Sequence, residues 1–192
     1  VKAKKNILAS FLIKGGSIAV SLVAVPLTIN YVNPDQYGVW LTLSSLVSWF
    51  SFFDIGFGNG LRNRFAEARA NSDDELARVY VSTTYAVLLI ISSVVLAIFL
   101  LVNPFLDWAK ILNAPAAMTS ELGLLAMIVF GYFALDFVLQ LIATILNADQ
   151  QPAVASLFNF LASLLSLVII FILTKTTEGN LIYLGVSFVG TQ

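Results

Sequence analysis

The sequence predicts an all-α polytopic membrane protein, with five complete transmembrane helices and a truncated sixth. Three observations carry that reading. Of the 192 residues, 59% are hydrophobic and only 11% are charged, where a soluble domain averages about 25% charged. So little polar surface cannot coat a globule in water. Several apolar runs reach the roughly 20 residues needed to cross a bilayer core of about 30 Å. The runs are separated by short segments carrying Asn, Pro, Asp and Gly, which read as helix ends and turns.

The first span is residues 7–32. Lys2, Lys4 and Lys5 before it resemble the charged start of a signal peptide, but the run is too long and no small-residue cleavage site follows. It is read as a retained helix. Asn33, Pro34, Asp35 and Gln36 predict a turn and a new helix start. Asn33 is the N-cap, Pro34 sits in the first turn and Gln36 reaches back to the cap. The second span is about 39–57. Gly56, Gly58 and Gly60 near its end read as helix termination and close packing. They follow a membrane helix rather than a strand, so they do not make a dinucleotide fingerprint. The nearby aromatics Trp49, Phe50, Phe52 and Phe53 read as lipid-facing or core surface.

Segment 59–78 reads as a cytoplasmic amphipathic loop. Leu61, Phe65 and Ala68 share one face of a short helix and the arginines lie elsewhere, the pattern of a helix at headgroup level. Ser72 and Glu75 form a capping-box pattern that opens the third span, 73–102. Asn103 and Pro104 end it, and 105–120 reads as a loop with partly buried apolar groups. The fourth span is 121–146 and the fifth 153–173. The sixth, 181–192, is too short to cross. With a first residue that is Val rather than Met, it predicts a fragment cut within its last helix.

Basic residues in the connections set orientation. The amino terminus carries three lysines, and the loop after the second span carries Arg62, Arg64, Arg69 and Arg78. The other side carries only Lys110 and Lys175. The amino terminus and the arginine-rich loop are therefore expected in the cytoplasm.

Composition also excludes. The chain has no cysteine and no histidine, so thiolate chemistry, disulfides and imidazole relays are out. An intramembrane proton carrier would have to be a carboxylate. Net charge is −1, which gives no pull towards nucleic acid. There is no Ser–His pair, no paired set of metal ligands and no phosphate-cradling loop. The expectation is a protein that is not an enzyme and holds no cofactor or metal.

Three ionisable residues fall inside predicted spans: Lys14, Asp54 and Asp136. A charge at a helix centre costs about 2.5–3.5 kcal/mol on insertion scales, so it usually faces a cavity or a partner. Lys14 and Asp54 lie at similar depths and could pair. Lys14 could equally snorkel to the interface, and Asp54 could cap the helix exit. Asp136 is too deep to snorkel easily and points to a cavity role. Polar residues recur around them at 100° per residue. The first helix carries Lys14, Ser17, Ser21 and Thr28, and the second Ser44, Ser48, Ser51 and Asp54. The fourth carries Tyr132, Asp136, Gln140, Thr144 and Asn147, and the fifth Ser156, Asn159, Ser163 and Ser166. Such stripes either converge on a hydrated interior or let helices pack and bond to one another.

Tyr37-Gly38-Val39-Trp40 follows the first turn, and Phe53-Asp54-Ile55-Gly56-Phe57-Gly58-Asn59-Gly60-Leu61-Arg62-Asn63 closes the second span. On these residues, the stretch 32–68 resembles the O-antigen and polysaccharide-repeat flippases, in the superfamily that also holds MATE antiporters and lipid II flippases. The resemblance implies a transporter of two pseudo-symmetric lobes, with this chain as most of the amino-terminal lobe. It implies a central cavity opening alternately to either side of the bacterial inner membrane. The cargo would be an oligosaccharide on an undecaprenyl pyrophosphate carrier, made for O-antigen or other polysaccharide. Sugar hydroxyls need a polar lining, which Ser17, Ser21, Asn59, Tyr132, Gln140 and Asn159 could supply. The pyrophosphate needs cations, with Lys14 inside and Arg62 and Arg64 at the cytoplasmic mouth. Either Asp54 and Lys14 neutralise each other and Asp136 serves a coupling proton or sodium ion, or the other lobe supplies more cations. Other polysaccharide assembly proteins are implied as partners. A cation-coupled drug antiporter of the same fold usually uses an acid in its first helix, where this chain has Lys14. A non-transporting scaffold would pack its stripes dry.

Overall fold

The computed structural model describes residues 2–49, 56–115 and 118–189, with all of their side chains except those of residues 2–8, 47, 48 and 189. In chain order they form α1 (Lys2–Tyr31), α2 (Pro34–Trp49), α3 (Phe57–Ala70), α4 (Asp74–Val102), a 3-10 turn (Asn103–Phe105), α5 (Trp108–Ile111), α6 (Thr119–Leu139), α7 (Leu141–Ala148), α8 (Pro152–Thr176) and α9 (Leu181–Val189). No strand occurs among the described residues.

Among the described residues, four segments are long and apolar enough to cross a membrane: Ala9–Tyr31, Asp74–Phe105, Thr119–Ala148 and Pro152–Thr176. Their outward faces leave large apolar side chains uncovered, with Leu12, Leu22 and Leu101 each at 70% exposure or more. Faces of that kind suit hydrocarbon, because soluble monomers rarely expose contiguous apolar surface. The chain is a multi-pass membrane bundle. The second expected span continues from α2 into residues 50–55, and the sixth from α9 into 190–192, both outside the described residues.

Helix α6 is the centre of the bundle. Of its apolar window 44% is buried, against 6%, 17% and 11% for the other three candidate spans. It packs on α2, α4 and α9. Helix α1 lies along α8. Gly16 faces the Phe160 ring, and the Tyr31 and Thr177 hydroxyls are hydrogen-bonded at 2.9 Å. Both pairs have nearly the same sequence offset, so the two helices run parallel.

The larger apolar cluster joins Tyr31, Trp40, Phe99, Trp108, Leu125, Ile170 and Leu184. It gathers at the end of the bundle holding the α1–α2 turn, the 3-10 turn and the α8–α9 linker. The smaller cluster, Leu61, Leu88, Phe137 and Leu141, lies towards the other end. That other end carries α3, the start of α4 and the α7–α8 connection, and it is the arginine-rich end.

Local sequence rules hold at the start of α2. Asn33 Oδ1 accepts from the Gln36 N–H at 2.8 Å, and Gln36 Oε1 accepts from the Asn33 N–H at 3.1 Å. This is the reciprocal cap expected there, although the helix begins at Pro34 rather than near 39. At the start of α4 the expectation fails by one residue. The cap is Asp73, whose carboxylate accepts from the Leu76 N–H at 2.9 Å. Ser72 has φ 59° and belongs to the left-handed turn that ends α3, so its backbone cannot cap α4.

Segment 59–78 is also more ordered than a loop. Gly56, with φ 81°, turns the chain into α3, and Gly58 and Gly60 lie inside that helix rather than terminating one. Leu61 and Ala68 are buried and Phe65 half-buried, and α3 packs on α4 and α7. The apolar face read as a headgroup-level surface is thus covered by protein. The loop expected over 105–120 contains α5, capped by Asp107.

The fourth span is interrupted at Gln140, between α6 and α7. The Gln140 side-chain amide donates to the Phe137 carbonyl at 3.1 Å, a carbonyl that the Leu141 N–H takes in an unbroken helix. Side-chain competition of this kind perturbs helices locally.

Candidate functional site

The parallel register of α1 and α8 fixes the depth of the intramembrane polar groups. Gly16 opposite Phe160 and Tyr31 opposite Thr177 put Lys14 level with Asn159. Asn159 is seven residues into α8, about 10 Å from its start at 1.5 Å per residue. Gln140 precedes the α7–α8 connection by as many residues as Asn159 follows it, give or take one, so it lies at a similar depth. Asp136 is one turn further from the arginine-rich end, about 6 Å deeper. Lys14, Gln140 and Asn159 therefore share one level of the bundle, a polar belt by depth, with Asp136 one turn deeper.

Lys14, Gln140 and Asn159 are exposed, and Asp136 is half-buried. Neither Lys14 nor Asp136 makes an ion pair among the described residues. Asp54, the expected partner of Lys14, lies outside the described residues, as does Ser51. The buried Tyr132 hydroxyl has no hydrogen-bond partner among the described atoms. Asp136 follows one helical turn further along α6.

Several stripe hydroxyls are satisfied by their own helices, while the buried Ser166 hydroxyl has no partner among the described residues. Ser17 donates to the Ile13 carbonyl at 3.1 Å, Thr28 to Ala24 at 2.8 Å and Ser163 to Asn159 at 2.9 Å. Thr28 is almost fully buried and Ser17 half-buried, whereas Ser21 is exposed. The first-helix stripe is therefore split, with Ser17 and Thr28 on the packed side and Lys14 and Ser21 on the open flank. In α8, Ser156 and Ser166 are buried while Asn159 is exposed.

Asn59, Arg62 and Arg64 all lie on α3 and are exposed. Arg64 is paired with Glu67 at 3.2 Å, while Arg62 has no ion pair among the described residues. Three clefts among the described residues are lined by other side chains. Two flank Arg69 at the arginine-rich end. A third, of 650 Å³, opens at the opposite end between α2 and the α5–α6 connection.

Arg69 is a residue that the sequence reading did not single out for function. Its guanidinium pairs with Asp74 and, from Nε, with Asp149 at 3.5 Å. The hydrogen bond and charge of Asp74, followed by the charge of Asp149, hold the group above its already high ordinary pKa. One cation thereby ties α3, the start of α4 and the α7–α8 connection together. The local Arg69–Asp74 half is visible as opposite charges across a turn. The distant Asp149 leaves no trace in the sequence.

The fold and the belt define a multi-pass helical membrane protein that keeps charged groups inside its spans. The chain belongs to the polysaccharide biosynthesis protein family, whose model matches residues 3–191. It is 36% identical over 76 residues to a Salmonella typhi protein named for O-antigen transport, a stretch covering 38% of this chain and 18% of that protein. It is 31% identical over 58 residues to a Yersinia pseudotuberculosis protein named for O-antigen export, covering 30% of this chain and 13% of that protein. The matched stretches thus span less than a fifth of either relative. No solved structure matches the chain.

Proposed function

We propose that this chain is most of the amino-terminal lobe of a flippase that moves an undecaprenyl-pyrophosphate-linked oligosaccharide repeat unit across the bacterial inner membrane. The observation that carries the reading is the belt at Lys14, Gln140 and Asn159, with Asp136 one turn deeper, in spans that are otherwise apolar. Charges without partners are costly at such depths and are kept where they face a cavity or a ligand. An ammonium at Lys14 suits a phosphate, and amides at Gln140 and Asn159 suit sugar hydroxyls. Arg62, which makes no ion pair among the described residues, is a cation at the mouth. Tyr132 and Asp136 form the acidic part of the path, and the carboxyl is the group that could take a coupling proton or sodium ion. Ser17, Ser21, Asp54, Asn59 and Arg64 complete the path. The relatives' names support export rather than catalysis, and family membership supports a place in polysaccharide assembly.

The orientation follows from the two ends of the bundle. Arg62, Arg64, Arg69 and Arg78 share one end, with Lys110 and Lys175 at the other, so the first end and the amino terminus face the cytoplasm.

The test is made in the full-length protein. Lys14→Gln and Asp136→Asn should each abolish surface polysaccharide while membrane insertion stays intact. Normal display from both variants would sink the cavity assignment. It would leave the scaffold reading, which the self-satisfied hydroxyls of Ser17, Thr28 and Ser163 favour. A drug antiporter of this fold is disfavoured by a lysine, rather than an acid, in the first helix.

A further inference from the structure

One of the two clefts beside Arg69, of 380 Å³, has walls of two kinds. Val81, Ile145 and Leu146 make one side apolar. Asp74, Arg78 and Asp149 supply charge. The cleft opens where the spans Asp74–Phe105 and Thr119–Ala148 both end. That is the level of a bilayer's headgroups.

The charges there are separated rather than cancelled. Arg69 is shared between two carboxylates, Asp74 and Asp149. Those three groups together carry one surplus negative charge. Arg78 is exposed and makes no ion pair among the described residues. Asp74, Arg78 and Ser82 occupy successive turns of one α4 face, about 6 Å apart. The wall therefore offers a cation and a hydroxyl beside a net acid, over a spacing that a phosphate and an ammonium joined by two carbons can bridge.

We propose that this cleft holds the headgroup of a zwitterionic aminophospholipid of the surrounding bilayer. The phosphate lies on Arg78 and Ser82. The primary ammonium lies on Asp74 and Asp149, and the first acyl segments run along Val81 and Ile145. A headgroup without an ammonium leaves the acidic wall unmatched. A trimethylated ammonium supplies charge but no N–H donor for the carboxylates. The proposal is independent of what the protein transports.

The experiment is native mass spectrometry of the delipidated full-length protein, given equal amounts of phosphatidylethanolamine, phosphatidylglycerol and phosphatidylcholine. Phosphatidylethanolamine should be retained about tenfold over the other two, the value of one charge-assisted contact. Arg78→Gln should lose that retention, and Asp149→Asn should equalise phosphatidylethanolamine and phosphatidylcholine. Lys110→Gln, at the opposite end, should behave as the parent. Equal retention of the three lipids, preference for phosphatidylglycerol, or an Arg78→Gln profile like the parent's overturns the proposal. If Arg78→Gln does not fold, Ser82→Ala carries the test. A clear loss of phosphatidylethanolamine adducts is expected, and an unchanged profile overturns the assignment.

Discussion

Gly179 lies against the backbone carbonyl of Tyr31, so close that a methyl group at Gly179 would overlap the carbonyl oxygen and sit 3.4 Å from the Val32 Cα. A hydrogen bond of 2.9 Å between the Tyr31 and Thr177 hydroxyls closes the same corner. The α8–α9 linker is thereby seated on the end of α1. Gly179→Ala should destabilise the protein by about 1–3 kcal/mol, the usual cost of overpacking. Thermal unfolding in detergent measures it. Gly123→Ala on α6, where nothing lies within 4 Å, is the reference and should be neutral or stabilising by up to about 1 kcal/mol. Equal melting temperatures for the two variants would mean that the corner yields freely.

What the sequence made legible was what neighbouring residues decide among themselves. The Asn33–Gln36 cap could be read because both partners lie within one turn. The α4 cap was missed by one residue because Ser72 and Asp73 are both good acceptors. The choice between them was made by the left-handed turn at Ser72, which depends on how α3 is seated. The apolar face of α3 was visible in the spacing of Leu61, Phe65 and Ala68, but amphipathicity does not name its partner. Here the partner is α4 and α7 rather than lipid. The depth of Asp136 followed from its place in an apolar run. The common level of Lys14 and Asn159 did not, because it rests on the register of two helices far apart in sequence. The backbone partners of Ser17 and Thr28 were not legible either, because spacing does not say whether a hydroxyl turns back to its own helix.

Trp108 donates its indole N–H to Asn103 Oδ1 at 2.8 Å, and both residues are 7% exposed. The ring also packs beside Phe99 and Phe130, whose own rings stack with centroids 4.0 Å apart. Trp108→Phe keeps an aromatic ring but leaves the Asn103 oxygen buried without this donor. A loss of about 1–3 kcal/mol is expected. Asn103→Leu in the Trp108→Phe background removes the stranded acceptor and should recover part of the loss. The readout is a double-mutant cycle on thermal stability. A strictly additive cycle would show that the hydrogen bond carries no coupling.

Ser92 joins the spans Asp74–Phe105 and Thr119–Ala148. Its hydroxyl donates to the Ala134 carbonyl across the α4–α6 contact, beside an apolar void of only 10 Å³. Interhelical hydrogen bonds in membranes average about 0.6 kcal/mol and reach about 1.7, so Ser92→Ala should cost an amount in that range. Ser92→Leu should cost more, about 1–3 kcal/mol beyond the lost bond, because the void cannot take the added side chain. Unfolding of the two variants in the same detergent gives the order. Equal stability for leucine and alanine would show that α4 and α6 can move apart at this level without penalty.

The short helix α5 should respond to acid through Asp107. One carboxylate oxygen accepts from the Lys110 N–H at 3.2 Å, and the other pairs with Lys110 Nζ at 2.9 Å. The side-chain hydrogen bond from Lys110, helped by its backbone N–H, holds the Asp107 pKa below its ordinary value. A carboxylate depressed in the folded state adds stability that is fully present above its unfolded pKa, near 3.9, and is lost as pH falls through the lower folded value. Amide protection over 107–112, taken relative to the intrinsic exchange rate at each pH, should therefore be flat at neutral pH and fall only below about pH 4. Salt should weaken the Lys110 contribution, since this pair is exposed to solvent. Asp107→Asn keeps a capping side chain but cannot titrate, so its exchange should show no acid step in this segment. An acid step that survives in Asp107→Asn would assign the transition to a different group.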